Sequence, residues 1–234
     1  MVAIIPARGG SKGLPQKNIR NFLGQPLISY TINAAKKSRN INRIIVSTDD
    51  SKIASISKQY GAEVPFLRPK DLATDESKAI DTYLFTIEEL NENLENKINE
   101  FIVLLPTTPL RTTDDIDKAI KLFNEVKADT VISVYESNHP PAWFKKVLKN
   151  GKMIDYYSGL DSCQNRQQYE KAYLPNGAIY IFNFQSLKKN YSYFNNNTYP
   201  YIMDKDKSID IDTLLDFTFA EFIMKTKIND FVSY

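Results

Sequence analysis

The sequence predicts an α/β sheet protein, and three observations predict it. Short apolar runs alternate with segments whose apolar residues recur at helical spacing, as strands alternate with helices in such folds. The most continuous apolar run, residues 101–105, has the make-up of a central strand buried on both faces. Polar residues suited to ligand chemistry fall at the ends of these runs, where α/β sheets gather their ligands. With 234 residues, the chain can bury a sizeable core as one large domain, or as one domain with an excursion.

The elements follow in order. Val2, Ala3, Ile4 and Ile5 form the first strand and break at Pro6. After Gly24-Gln25-Pro26, residues Leu27, Ile28, Tyr30, Thr31, Ala34 and Ala35 mark a helix face. Ile44-Ile45-Val46 is a strand ending in Ser47-Thr48-Asp49-Asp50, and a helix follows with Ile53, Ala54, Ile56 and Tyr60, stopped by Gly61. Residues 81–94 are helical, with acidic residues on the wet face. Strand 101–105 stops at Pro106, and 112–115 (Thr-Thr-Asp-Asp) caps a helix whose inner face carries Ile116, Ala119, Ile120 and Phe123. Residues 130–135 are another strand. From 136 to 173 the alternation fails, and a stretch this long is a functional excursion or an interaction arm. Order returns with a strand over 177–182.

Composition excludes several classes. A formal net charge of +2 is too near balance for a nucleic-acid-sized basic surface. The single cysteine, Cys163, can make no internal disulfide, and no CxxC pair is present for metal. No signal peptide and no apolar run of membrane-spanning length are evident, so a soluble cytoplasmic protein without membrane partners is expected.

Positive charge is instead local. The loop after the first strand carries Arg8, Gly9, Gly10, Ser11, Lys12, Gly13, Lys17 and Asn18, and the first 48 residues hold eight Lys/Arg and no carboxylate. Glycines let a backbone turn sharply and present its N–H groups to an anion. A polyphosphate fits best. The loop is not a GxxxxGK[ST] P-loop, because Leu14 and Pro15 follow Gly13, and it is not GxGxxG.

Near the other end, Asp210 and Asp212 lie two apart and share one face if that stretch is extended. Two carboxylates on one side need a cation, and hard oxygen donors with room for water and phosphate suit Mg²⁺. A second reading makes Asp212 the cap of a helix starting at Thr213. Loop and acidic pair together specify transfer from a nucleoside triphosphate, with catalysis by positioning and electrostatics.

These residues also resemble the acylneuraminate (CMP-sialic acid) cytidylyltransferases, nearly end to end. The likeness runs through Ala7-Arg8, Ser11-Lys12-Gly13, Lys17-Asn18, Val46-Ser47-Thr48-Asp49, Arg68-Pro69, Leu72-Ala73-Thr74-Asp75, Pro106-Thr107-Thr108-Pro109-Leu110-Arg111, Arg166-Gln167, Pro175-Asn176-Gly177-Ala178-Ile179-Tyr180 and Ser208-Ile209-Asp210-Ile211-Asp212. The resemblance implies a three-layer, mixed-sheet, nucleotide-diphospho-sugar transferase-like (Rossmann-like) core over 1–135 and 174–234. It makes 136–173 a protruding arm that reaches a partner subunit in a homodimer. It implies that Arg8, Gly10, Ser11, Lys12, Lys17 and Asn18 hold the triphosphate of CTP and that Arg68 lies near cytidine. Thr107, Arg166 and Asn176 line the sugar side, and Asp210 and Asp212 bind Mg²⁺. The implied catalytic set is Arg8, Lys17, Asp210 and Asp212, and the implied reaction is attack of the anomeric 2-hydroxyl of a nonulosonic acid on the α-phosphorus.

Three positions depart from that pattern. Leu105 stands where a Gln is common, Ala142-Trp143 where a basic residue often follows His-Pro, and Leu174 where an Arg often precedes Pro-Asn-Gly. The acceptor expected is therefore N-acylneuraminate or a sister sugar of legionaminate or pseudaminate type. Alternative readings are a transferase for another acid sugar such as Kdo, and a CTP-sensing module without catalysis. His139 reads as a structural loop residue, and Tyr156-Tyr157, Tyr169 and Tyr173 as arm packing.

Overall fold

Six strands build the central sheet of the computed structural model, which describes residues 1–92 and 94–232, the last six by backbone alone. Residue 93 of the predicted helix and residues 233 and 234 of the predicted core lie outside the described residues. In chain order the strands and helices begin with β1 (Val2–Pro6), a two-strand ribbon of β2 (Asn21–Phe22) and β3 (Gln25–Pro26), α1 (Leu27–Lys37), β4 (Arg43–Ser47) and α2 (Ser51–Gln59). Then come α3 (Ala79–Glu92), β5 (Glu100–Val103), α4 (Thr113–Val126) and β6 (Thr130–Glu136). The hairpin β7 (Lys145–Val147) and β8 (Met153–Asp155) precedes β9 (Tyr173–Asn183), α5 (Phe184–Asn190), β10 (Thr198–Ile202) and α6 (Leu214–Val232).

The sheet order is β10-β6-β9-β5-β1-β4, with β9 antiparallel to both neighbours and the other pairings parallel. Alternation within single strands creates the three layers. On β1, Ala3 and Ile5 face a cluster fed by α1, α2 and α4, while Val2 and Ile4 face one fed by α3 and α5. The 101–105 run behaves as its composition demands, with Phe101, Ile102, Val103 and Leu104 fully buried. Helix α4 starts on a capping box between Thr112 and Asp115, and its predicted inner face is buried.

Two expectations need correcting. The strand expected over 177–182 starts at Tyr173, because Tyr173, Leu174 and Pro175 pair with Glu136, Tyr135 and Val134 of β6. Asn176 therefore lies inside β9 rather than at its entry. The excursion is not wholly irregular either, since it carries the β7–β8 hairpin. Its side chains are unusually apolar for an exposed surface: Val147 is 71% and Met153 67% exposed, with Trp143, Ile154, Tyr156 and Tyr157 exposed too.

Arg111 ties the layers together behind the sheet ends. Its fully buried guanidinium donates to the carbonyls of Leu105 (3.2 Å) and Ala178 (2.9 Å), and to the hydroxyls of Thr108 and Thr31 (3.3 and 2.7 Å). It thus joins the loop after β5 to β9 and α1.

Candidate active site

Because β9 runs against β5 and β6, its early residues lie beside their carboxyl ends. The β1 loop, the β4 end, the β5 end, the start of β9 and the segment before α6 thus converge. A cleft of about 560 Å³ opens there, lined by Arg8, Ser11, Lys12, Lys17, Asn18, Arg68, Thr107 and Asp212 among others.

The β1 loop is held at both ends. Ala7 N–H donates to Ser47 O (3.0 Å), Gly9 N–H to Asp49 Oδ1 (3.0 Å), and Asn18 Nδ2 to Arg8 O (3.0 Å). Leu14, which distinguishes this loop from a P-loop, is its anchor: it is buried with Phe22, Leu27, Ile211 and Phe217 in a third apolar cluster. That contact brings the two ends of the chain together. Lys17 Nζ donates to Ile211 O (2.7 Å) and Asp212 Oδ1 (2.9 Å).

Gly13 is required by the same approach, since a Cβ there would stand 2.6 Å from the backbone oxygen of Asp212. Gly13→Ala is therefore expected to push the cationic loop off the acidic segment. Turnover should fall at least about tenfold, because misplacing charged groups by about 1 Å can cost more than that. Steady-state rates, with circular dichroism to confirm folding, check this; an unchanged rate would mean the close approach is dispensable.

The acidic pair is split in environment. Asp212 is 76% exposed and salt-bridged to Lys17. Asp210 keeps solvent access, yet crowding by protein lifts its carboxyl pKa above the ordinary value. The charge of Asp212 adds to that rise, while a hydrogen bond from Thr107 and the charge of Lys17 oppose it. Helix α6 is capped by Thr213 and Asp216, which exchange hydrogen bonds (Thr213 N–H to Asp216 Oδ2, 2.8 Å; Asp216 N–H to Thr213 Oγ1, 3.2 Å). Asp212 is not the cap, so its carboxylate faces the cleft, paired there with Lys17.

Asn176 works behind the wall. Its Oδ1 accepts from Ser133 Oγ (2.5 Å) and Ala178 N–H (3.0 Å), while Nδ2 donates to Ser208 Oγ (2.9 Å). It is buried and pins the segment leading to the acidic pair. Next to it, Gly177 has φ +73° and leaves room for Leu105 and the Asp210 carboxylate, 3.2 and 3.4 Å from where a Cβ would be.

Arg68 is buried at the base of the cleft. Its Nη1 donates to Thr82 Oγ1 (3.2 Å), its Nη2 lies 3.8 Å from Asp49, and its Nε has no protein partner. Burial pulls its pKa down, opposed by Asp49. Gly10 sits on the exposed outer turn of the loop. Arg166 is not in this cleft; it lies on the excursion, near Glu136, Pro140 and Tyr169.

Sequence reasoning gave no role to Asp75. Arg8 donates to Thr74 O (2.8 Å) and to Asp75 Oδ1 (2.6 Å), and Lys12 pairs with Asp75 Oδ2. The two cations hold the Asp75 carboxyl below its usual pKa, Lys12 more than Arg8. The signal available was Asp75 within a stretch already singled out, but only the fold brings it across to the loop.

The donor set fits a hard cation. Among the described residues no group of three or more His, Cys, Asp and Glu side chains forms a metal cage. Two carboxylates beside a cationic loop instead suit an ion that keeps several waters and takes phosphate oxygens.

The chain is similar to known proteins along nearly its whole length. A family model described as cytidylyltransferase matches residues 2–232. The chain is 35% identical over 228 residues to a CMP-N,N'-diacetyllegionaminic acid synthase of Legionella pneumophila, covering 96% of each. It is also 35% identical over 228 residues to an N-acylneuraminate cytidylyltransferase of Escherichia coli O18:K1:H7. That match covers 97% of this chain but 52% of the relative, so the chain spans about half of that protein's length. A solved CMP:2-keto-3-deoxy-manno-octonic acid synthetase complexed with CTP has the same fold. Its TM-score is 0.71, with 97% and 98% of the two chains covered at 15% identity. Among the described residues no helix is long and apolar enough to cross a membrane.

Proposed function

This chain belongs to the cytidylyltransferase family, and from that membership we propose that it couples CTP to a sialic-acid-like nonulosonic acid. The acceptor is of N-acylneuraminate, legionaminate or pseudaminate type, and the products are a CMP-sugar and pyrophosphate. One observation carries the reading. The cationic β1 loop and the acidic segment before α6 meet across a single cleft at the Lys17–Asp212 pair.

In this reading Arg8, Ser11, Lys12, Lys17, Asn18 and the backbone at Gly10 receive the triphosphate. Arg68, with an unpartnered buried nitrogen, serves the nucleoside end. The anomeric oxygen attacks the α-phosphorus while the bond to the β-phosphate oxygen breaks and pyrophosphate leaves. Arg8 and Lys17 neutralise charge on that leaving group. Asp210 and Asp212 would hold Mg²⁺, which when bound offsets charge on the phosphate oxygens. Thr107 lines the cleft on the sugar side, beside Asp210. Asn176 contributes to the sugar side by fixing the wall rather than by reaching the cleft.

Leu105 lines the cleft beside Asp210, so the acceptor meets an apolar side chain at the reacting end. The exposed apolar surface of the excursion supports a homodimer in which this arm lies on a partner subunit. Such a dimer gives Arg166 a role in a shared cleft.

Pyrophosphate release with Mg²⁺ and CTP against a panel of nine-carbon keto acids tests the reading, with ATP, GTP and UTP as controls. Release with CTP and a nonulosonic acid alone is expected. CTP binding without release on any acid sugar would favour a sensor, and release with Kdo alone would reassign the acceptor. Sedimentation giving a monomer at micromolar concentration would remove the shared cleft.

A further inference from the structure

We propose that Asp75 is a positioning residue of the phosphate site: it holds Arg8 and Lys12 in the absence of phosphate and competes with pyrophosphate for them. The proposal rests on reading the β1 loop as the phosphate site. Its observations are geometric. Both cations converge on one carboxylate, Arg8 on Oδ1 and Lys12 on Oδ2, so Asp75 occupies the donors a phosphate would use. Arg8 adds a bond to Thr74 O, which fixes the fork of the guanidinium.

Asp75 is not carried by a slack loop. Thr74 N–H donates to Ser77 Oγ (3.1 Å), Ser77 N–H to Thr74 Oγ1 (3.2 Å), and Ser77 Oγ to Asp71 O (2.6 Å). This turn lies between the short helical turn Lys70–Ala73 and α3, and both Thr74 and Asp75 line the cleft. The carboxylate is therefore presented to the loop by a built turn that closes one side of the cleft.

The charge arithmetic gives the function. A polyphosphate entering the loop must take Arg8 and Lys12 from Asp75, and Asp75 then becomes an unpaired negative charge beside it. Affinity for every polyphosphate, including the leaving pyrophosphate, is lowered by the fraction of molecules in which the clasp is shut. In return, the cations are already oriented when substrate arrives, and the carboxylate recaptures them as product departs.

The test is calorimetric binding of inorganic pyrophosphate, without added metal, to the wild type and to Asp75→Asn, Asp75→Glu and Glu76→Gln. Glu76 is the exposed neighbour, and its substitution makes the same change in net charge. Asp75→Asn should bind pyrophosphate about three- to tenfold more tightly, the range expected for losing two partly exposed ion pairs. Glu76→Gln should change affinity less than about twofold, and Asp75→Glu should restore most of the wild-type value. In steady state Asp75→Asn should lower the KM for CTP and strengthen product inhibition by pyrophosphate without raising kcat.

Unchanged pyrophosphate affinity in Asp75→Asn, with binding measurable in the wild type, would overturn the proposal alone. An equal gain in Glu76→Gln would also overturn it, since the effect would then be general charge. If wild type and Asp75→Asn both fail to bind pyrophosphate, the phosphate reading of the loop falls and takes the proposal with it.

Discussion

Asp212→Ala is expected to lower kcat by about a thousandfold while leaving the fold intact. The magnitude is that of removing a group dedicated to stabilising charge in the transition state. The fold should survive because Asp212 is largely exposed and α6 draws its cap from Thr213 and Asp216. Its melting temperature should stay close to the wild type, as exposed substitutions away from caps and cores change stability little. Asp212→Asn separates two contributions. It can still accept from Lys17 but carries no charge, so a loss as large as with alanine assigns the effect to charge. A loss smaller than about tenfold in the alanine variant would remove Asp212 from the catalytic set.

Arg111→Ala should produce the largest loss of stability, about 3–5 kcal/mol, from leaving buried acceptors unpaired and opening a cavity where the side chain stood. The carbonyls of Leu105 and Ala178 would lose a charged donor in an interior that water does not reach. For a domain of this size that means a fall of roughly 10 °C in melting temperature. Arg111→Met refills most of the volume and should recover only the packing share. A melting temperature within about 2 °C of wild type for both variants would show that the loop after β5 needs no such clamp.

Those two sites also mark what the sequence makes legible. The phosphate loop can be read because strand, glycines and cations are contiguous over residues 4–18, and local chemistry shows in a local string. The central strand 101–105 and the cap at Thr112 can be read for the same reason. What stays hidden depends on partners distant in the chain. The first residues of β9 look like loop because Pro and Asn disfavour strands, and only pairing with β6 makes them extended. Asn176 reads as a ligand residue until its donors and acceptors are found spent on Ser133, Ala178 and Ser208. Asp75 reads as one carboxylate among many, because its cations lie 63 and 67 positions away.

The helix cap was ambiguous for a different reason. Asp212 and Thr213 are adjacent and both are good capping residues, so composition alone cannot choose between them. The Thr213–Asp216 exchange decides it.

The Lys17–Asp212 pair has a consequence for biosynthesis. Its partners are 195 positions apart, and Leu14 packs on Ile211 and Phe217 in the same joint. A nascent chain on the ribosome can form β1 and its loop early, yet the loop's counter-charge follows 195 residues later. Until residues 211–217 emerge, a glycine-rich cationic segment lacks the contacts of Leu14 and Lys17, and contacts this distant in sequence form slowly. The cleft is thus assembled only once residues 211–217 are in place. A chain cut short before residue 211 lacks both the apolar anchor of Leu14 and the counter-charge of Lys17.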